Sequence, residues 1–308
     1  MKLPNFILAG FPKCGSTSLY YYLFEHPEIF LPKQKELHYF TYDILTGLNA
    51  GKGDKEIQEF HIGSFEKYKA CFSGLTTEKA IGDVSPSYAN YKDCIPNIKN
   101  TLGKNTKIIF ILRDPVQRAY SNYLHLVREN REKLTFYEAL MQEDKRREDG
   151  YSDFWYYFFN STYLPKINRM KEYFKDVLII TFEEFINDSQ KGIKEIYSFL
   201  GVDVTFKPGN LNTKFNAGGV YDDNAITRFI FSQNRLKNMI KKTIPISMGM
   251  KKTKLWLIEK YKKETPNIPQ DAKSFLVDKF RQDLEELKAL GIKTELWNNS
   301  FDLIMKDK

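Results

Sequence analysis

The sequence predicts an α/β fold, in which a parallel β-sheet is flanked by helices. One observation is a set of short apolar runs such as Ile-Ile-Phe-Ile-Leu at 108–112, a pattern typical of strands that are covered on both faces. A second is that helical patterns alternate with these runs along the chain. A third is that the first run leads through a glycine-bearing loop directly into a helix. The alternation indicates a doubly wound sheet.

The individual elements follow from length and pattern. Four apolar runs are too short for helices, and we assign strands to 6–9, 79–82, 107–112 and 177–181. Helical patterns cover 16–25, 115–129, 135–148, 164–174, 182–200 and 271–290. The aromatic-rich stretch 151–163 is predicted to be a helix packed on the core, because large exposed apolar patches are uncommon. Residues 207–219, with several Gly and Asn, are predicted to form a long loop.

Length and composition favour one folded domain. The chain has 308 residues, of which 42% are hydrophobic and 28% charged, which excludes a largely disordered protein. We expect a single domain over 1–308, with a core at about 1–205 and a helical, basic C-terminal portion at about 206–308. No run approaches the length of a membrane-spanning helix, and the N-terminal apolar run is too short for a signal peptide, so we expect a cytoplasmic protein.

Charge and metal-ligand residues narrow the choice of partners. Three cysteines and four histidines are scattered without paired spacing, so no metal site is predicted. The net charge of +8 arises in one late segment, because ten basic residues and one acid lie between Arg235 and Lys263. Such a segment suits a solvated face, a flap over an anionic ligand or contact with an anionic membrane surface. No nucleic-acid-binding motif accompanies it, so no nucleic acid is expected.

The loop after the first predicted strand has the features of an anion-binding site. Lys13 lies between Gly10 and Gly15, and a helix begins at Ser16. Backbone N–H groups of such a loop, the helix dipole and the lysine all favour a phosphate or sulfate. The spacing is P-loop-like, but a nucleoside triphosphatase needs its lysine directly after the second glycine, where this chain has Ser16. ATP chemistry is therefore disfavoured.

A second anion-binding segment follows the third predicted strand. Arg113 leaves the carboxyl end of that strand, Asp114 is placed to cap the next helix, and Pro115 suits its first position. Ligands of open parallel sheets bind outside the carboxyl ends of the strands, so Arg113 is expected to face the same crevice as the first loop. Its guanidinium can hold a phosphate, and Ser121 can add a hydroxyl donor. Alternatively, Arg113 pairs with a core carboxylate.

With these two segments the chain resembles the sulfotransferases that use 3′-phosphoadenosine 5′-phosphosulfate (PAPS). A third block, Pro32-Lys33-Gln34-Lys35-Glu36-Leu37-His38-Tyr39-Phe40, is similar to a segment of the heparan sulfate O-sulfotransferases. Weaker matches are Gly82 to Tyr88, Asn216 to Gly219 and the tail from Pro266 to Trp297. The resemblance implies a nucleotide-binding core and a metal-independent, in-line transfer of the sulfuryl group to a hydroxyl or amine of a carbohydrate-like acceptor, which can be acidic. The product of the donor is adenosine 3′,5′-bisphosphate (PAP).

The resemblance also implies roles for individual residues. In the family, the first loop holds the 5′-phosphosulfate, and the arginine and serine of the second segment hold the 3′-phosphate. Carried onto this sequence, the residues that bind the donor are Lys13, Cys14, Gly15, Ser16, Thr17, Ser18, Arg113 and Ser121. Lys13 has the further role of stabilising charge on the leaving phosphate. Which late basic residue closes over the 3′-phosphate stays open.

An attacking hydroxyl or amine must lose a proton, so the acceptor site needs a base. Glu36 occupies the position of the base in the heparan sulfate branch, and His38 can orient the acceptor or share the role. In an extended segment both side chains would lie on one face, which excludes neither. Lys35, Asp83 and Ser85 are candidates for the acceptor site. The heparan sulfate enzymes carry a catalytic lysine at the position of Val84, and Asp83 is an acceptor contact, a second base or a loop residue bonded to its own backbone.

Two other functions are compatible with parts of the sequence. A divergent P-loop kinase would share the first loop, although the displaced lysine argues against it. A module that binds an anionic polymer or a membrane surface would use the segment from Arg235 to Lys263. Binding of magnesium-ATP would favour the kinase, and a steep salt dependence of binding to anionic lipid or polymer would favour the module.

Overall fold

The computed structural model describes residues 2–211, 213, 219–222, 224–231 and 260–301. The β-strands are β1 (Phe6–Gly10), β2 (Ile29–Phe30), β3 (Ala80–Val84), β4 (Lys107–Leu112), β5 (Val177–Thr181), β6 (Val220–Tyr221) and β7 (Lys262–Lys263). Strands β1 to β5 form one sheet in the order β2-β3-β1-β4-β5, in which all pairs are parallel. Strands β6 and β7 form a separate antiparallel pair. The predicted parallel α/β sheet is confirmed.

Helices connect and flank these strands. They are α1 (Ser16–Phe24), α2 (Tyr42–Gly47), α3 (Asp54–Gln58), α4 (Phe65–Ala70), α5 (Ile95–Leu102), α6 (Pro115–Arg128), α7 (Phe136–Met141), α8 (Glu143–Glu148), α9 (Leu164–Tyr173), α10 (Phe182–Asn187), α11 (Ser189–Leu200), α12 (Ala225–Phe231), α13 (Gln270–Ala289) and α14 (Asn298–Phe301). Within the described ranges, no helix is both long enough and apolar enough to cross a bilayer.

The strand predictions were correct because burial on both faces leaves a clear signal. Every residue of β1 and β3 is buried, and so are the last five residues of β4. Strand β2 was missed because two residues carry no pattern. It pairs with β3 at the edge of the sheet, with Ile29 opposite Ala80.

Three helix predictions need correction. The pattern 182–200 contains two helices, because Asp188 leaves the helical conformation and its side chain accepts from the backbone N–H of Lys191. The pattern 135–148 is likewise divided at Gln142. The stretch 151–163 forms two short 3₁₀ turns, Asp153–Trp155 and Phe159–Ser161, rather than a helix. Its eight aromatic side chains are nevertheless buried or half-buried, as expected.

Candidate functional site

The candidate site lies at the carboxyl ends of the central strands. The loop after β1 turns at Gly15, whose φ is +92°, and α1 begins at the next residue. A Cβ atom on Gly15 would lie 2.8 Å from the ring of Phe182, so both the backbone angle and the space require glycine. No side chain caps α1, and the N–H groups of its first turn have no partner within the helix. The loop thus presents backbone donors and Lys13 on one side of the crevice.

Arg113 joins the second anion-binding segment to this loop. Its Nη1 donates to the carbonyl oxygen of Lys13 at 3.2 Å, and its guanidinium lies 5.2 Å from the ring centroid of Phe182. Among the residues that the structure describes, no carboxylate pairs with this guanidinium, whose contacts are with a carbonyl and a ring. Phe182 therefore packs against both the loop at Gly15 and the side chain of Arg113. No sequence motif predicts this role.

Helix α6 begins as predicted. The Oδ1 atom of Asp114 accepts from the N–H groups of Val116 (2.9 Å) and Gln117 (3.1 Å), and Pro115 is the first helical residue. Burial raises the pKa of Asp114 to about 6, although the bonds from Ser300 and Gln117 oppose this shift. Ser121 lies farther along the same helix and is half-buried.

Arg118 bonds to the loop after β1 and was not assigned a role from the sequence. Its side chain is completely buried and donates to the Pro12 carbonyl (3.2 Å), the Ser161 hydroxyl (2.6 Å), the Asn122 side chain (3.1 Å) and the Tyr157 carbonyl (3.2 Å). A buried guanidinium with this many acceptors fixes the loop geometry. Arg118 is a positioning residue for the loop.

Lys13 experiences a strongly positive environment. Its φ is +69°, and its pKa is lowered to about 7 by burial and by the charges of Arg128, Arg113 and Arg118, while Glu129 opposes the shift. Cations that depress a lysine pKa by mutual repulsion mark a site suited to an anion. Cys14 contributes no nucleophile, because burial raises the pKa of its thiol to about 11 and its Sγ lies against the Tyr163 hydroxyl at 4.0 Å.

The segment with Glu36 and His38 is not extended, so the two-residue geometry assumed for it is wrong. Both residues have left-handed backbones, with φ of +63° and +51°. The turn is fixed by tertiary bonds, from the Glu36 N–H to the Val84 carbonyl (3.0 Å) and from the His38 N–H to the Ser85 hydroxyl (3.1 Å). Long-range bonds of this kind override local pattern.

Electrostatics distinguish the two candidate bases. Burial alone would raise the pKa of Glu36, but the charges of Lys35, His38 and Lys13 hold it at about 2, and Lys35 donates directly to its carboxylate. Burial lowers the pKa of His38 to about 4, and its Nδ1 lies 2.7 Å from the Ser87 hydroxyl. His61, which was not assigned a role from the sequence, packs against His38 with the two ring centroids 4.4 Å apart. At neutral pH the site therefore has an ionised Glu36 beside a neutral His38.

Asp83 lies at the end of β3 with no exposed surface. Its carboxylate accepts from the hydroxyls of Ser85 (2.6 Å), Tyr88 (2.8 Å) and Tyr68 (3.0 Å). Burial raises the pKa of Asp83, and the three hydroxyl bonds oppose that shift. Asp83 is therefore a strand residue bonded to side-chain hydroxyls, and not a loop residue bonded to its own backbone. In this conformation Asp83 and Ser85 support the His38 turn from beneath.

Other predicted features are described in part. Residues 235–259 of the basic segment, and 212 and 214–218 of the predicted loop, lie outside the described residues. At the described end of the basic segment, Lys263 pairs with Asp222 at 2.6 Å. Among the described residues there is no cluster of three potential metal ligands.

Comparisons with known proteins agree with this geometry. Residues 3–263 match the family model described as "Sulfotransferase domain". The crystal structure of a sulfotransferase from Alicyclobacillus acidocaldarius is 28% identical, covers 97% of this chain and 100% of that chain, and superposes with a TM-score of 0.75.

Two characterised relatives match over shorter stretches. The membrane-associated sulfotransferase kil1 of Dictyostelium discoideum is 39% identical over 121 residues, which are 39% of this chain and 22% of the relative. Carbohydrate sulfotransferase 15 of Homo sapiens is 30% identical over 169 residues, which are 46% of this chain and 30% of the relative. The chain thus spans less than a third of the length of either relative.

Proposed function

The chain belongs to the sulfotransferase family, and from this premise we propose that it transfers the sulfuryl group of PAPS to a hydroxyl, or an amine, of a carbohydrate-like acceptor. The observation that carries the proposal is the bond from Arg113 to the Lys13 carbonyl. It brings together the two segments that the sequence marked for anions, at the edge of the sheet where α/β proteins bind ligands. The similarity to a carbohydrate sulfotransferase supports the acceptor class.

The residues present fit a polyanionic donor. Lys13 and the first turn of α1 offer positive charge and N–H donors to the 5′-phosphosulfate, and Arg113 with Ser121 suits the 3′-phosphate. When bound, PAPS supplies the sulfuryl group and leaves as PAP. Lys13 and the helix N-terminus then stabilise charge on the departing phosphate, a role that magnesium has in kinases, so the proposed transfer needs no metal.

Calorimetric titration with PAP, without metal, tests the donor. We expect Lys13→Ala and Arg113→Ala each to weaken binding by about 1–3 kcal/mol, the scale of a lost charge-assisted hydrogen bond. Lys175→Ala is a matched control, because it removes an exposed charge just before β5, at the amino end of this strand and away from the proposed site. Absence of PAP binding to the native protein, or binding of magnesium-ATP alone, would refute the proposal and favour a kinase.

Glu36 is proposed as the general base that accepts the acceptor proton. It is ionised at neutral pH, and the charge of Lys13 is among those that lower its pKa, which supports a position near the transferring end of the proposed donor site. Lys35 donates a hydrogen bond to the Glu36 carboxylate. We infer that Lys35 leaves this carboxylate and contacts the acceptor when the acceptor binds. Loss of the hydrogen bond then raises the pKa of Glu36 and makes it a stronger base. His38 then orients the acceptor.

Transfer of labelled sulfate from PAPS to a panel of unsulfated glycosaminoglycan oligosaccharides tests this assignment. Glu36→Gln should lower kcat by about 100-fold or more, on the scale of general-base catalysis, and leave PAP affinity unchanged. Glu66→Gln, at an exposed acid of α4, should change neither quantity. If His38→Asn abolished turnover while Glu36→Gln did not, the base would be His38; if no oligosaccharide were sulfated, the acceptor class would be wrong.

A further inference from the structure

A third guanidinium, that of Arg128, acts electrostatically on Lys13 and has no function assigned so far. Ser121, His125 and Arg128 follow one another at spacings of four and three residues, so they share one face of α6. Among the charges that lower the pKa of Lys13, Arg128 has the largest effect, ahead of Arg113. Arg128 lies about 10 Å farther along the helix axis than Ser121, at 1.5 Å per residue. Arg128 therefore acts electrostatically on Lys13 from a point about two turns beyond Ser121 on the same helix face.

Arg128 is held in a defined orientation. Its Nη2 donates to Nδ1 of His125 at 2.5 Å, and its guanidinium lies 5.2 Å from the ring centroid of Phe231 in α12. Phe231 in turn packs against Tyr221 of β6, with ring centroids 4.7 Å apart. A planar guanidinium fixed on a ring and by one hydrogen bond loses little further freedom when it binds a ligand.

One donor of this fixed group is left for a ligand. The Nε atom of Arg128 is buried and has no hydrogen-bond partner among the described residues. A buried N–H without a partner destabilises the folded state, so such groups call for an explanation. The nearby carboxylate of Glu129 is shared by His125 and Arg131, at 3.4 Å from each. Arg128 thus combines an unused donor with a charge that Lys13 repels.

We propose that Arg128, positioned by His125 and Phe231, binds the sulfuryl oxygens of the donor. The inference rests on the proposed function and extends it, because it assigns a contact to the one part of PAPS that PAP lacks. Three sulfuryl oxygens carry a negative charge and accept hydrogen bonds in the planar geometry that a guanidinium offers. In this arrangement Lys13 contacts the oxygen that bridges sulfur and phosphorus, and Arg128 contacts the oxygens of the sulfuryl group. Glu36 faces the acceptor.

The test compares the affinities of PAPS and PAP for the same variants, by calorimetry without acceptor. Arg128→Gln should weaken PAPS binding by about 10-fold or more, the loss expected for a hydrogen bond to a charged group, and leave PAP binding unchanged. Arg128→Lys keeps the charge but loses the fork, and should fall between the native protein and Arg128→Gln. Arg147→Gln is the matched control, since Arg147 is exposed and packs on the rings of Tyr156 and Phe159.

Unchanged PAP affinity also shows that each variant is folded. Equal weakening of both nucleotides would overturn the inference, since Arg128 would then bind the bisphosphate or support the fold. Unchanged PAPS affinity would overturn it as well. If the variant then raised only the KM of an acidic acceptor, Arg128 would bind the acceptor and not the sulfuryl group. Failure of the native protein to bind PAP is a separate outcome, which refutes the proposed function itself.

Discussion

Lys13 shows how a residue acquires its properties from neighbours far away in sequence. A solvated lysine titrates near 10.4, whereas Lys13 is half-buried among Arg113, Arg118 and Arg128, and its pKa is about 7. An anion in the site would offset this repulsion and restore the charge. We therefore expect binding of PAP to be coupled to proton uptake by Lys13.

This coupling predicts a pH dependence of PAP affinity. The pKa of Lys13 is lower in the free protein than in the complex, so binding takes up a proton at any pH between the two values. Above pH 7 the affinity should fall with rising pH by up to about tenfold per unit, the slope for one proton. Below pH 7 Lys13 is charged in both states and contributes no slope.

Calorimetry between pH 7 and 9, in buffers of different ionisation enthalpy, measures the proton uptake directly. Lys13→Arg is the control, because an arginine keeps its charge throughout this range. A slope that persists in this variant would assign the proton to another group, and a flat native profile would contradict the lowered pKa.

At the scale of elements, α6 carries most of the residues of the proposed donor site. Arg113 precedes it, Asp114 caps it, and Arg118 on its buried side bonds to the Pro12 carbonyl of the first loop. Ser121, His125 and Arg128 lie on the same face as Arg118, because they follow it at spacings of three, seven and ten residues. One helix thus links the loop geometry, the proposed phosphate site and the proposed sulfuryl site, so its start and its orientation must be accurately fixed.

The start of α6 could be predicted from sequence, whereas much of the site around it could not. The cap at Asp114 and the proline after it are local signals, and the apolar run of β4 is long enough to be recognised. The left-handed turn at Glu36 and His38 depends on bonds to Val84 and Ser85, about 47 residues away along the chain. The electrostatic effect of Arg128 on Lys13 likewise depends on how α6 packs against the loop, which no motif encodes.

At the scale of the molecule, the C-terminal portion is connected to the site through a chain of buried contacts. The indole N–H of Trp297 donates to Glu183 at 2.8 Å, and the other oxygen of that carboxylate accepts from the N–H of Asp114 at 3.0 Å. Asp283 of α13 accepts from the N–H of Tyr163 at 3.0 Å, and the Tyr163 hydroxyl donates to the Arg113 carbonyl at 2.8 Å. These bonds support the prediction of a single domain over 1–308.

Trp297 provides the test of that prediction. Its side chain has no exposed surface, so Trp297→Ala should lower the free energy of unfolding by about 3–5 kcal/mol, the usual cost of emptying such a site. If the tail and the core unfold as one unit, denaturant melts followed by circular dichroism should show one transition, which PAP shifts as a whole in the native protein and in the variant. Leu290→Ala, at a half-exposed position in the same portion, should cost far less. Two transitions, of which PAP moved one and Trp297→Ala the other, would instead divide the chain into a nucleotide-binding core and an independent tail, and Trp297 would then have no influence on the α6 cap.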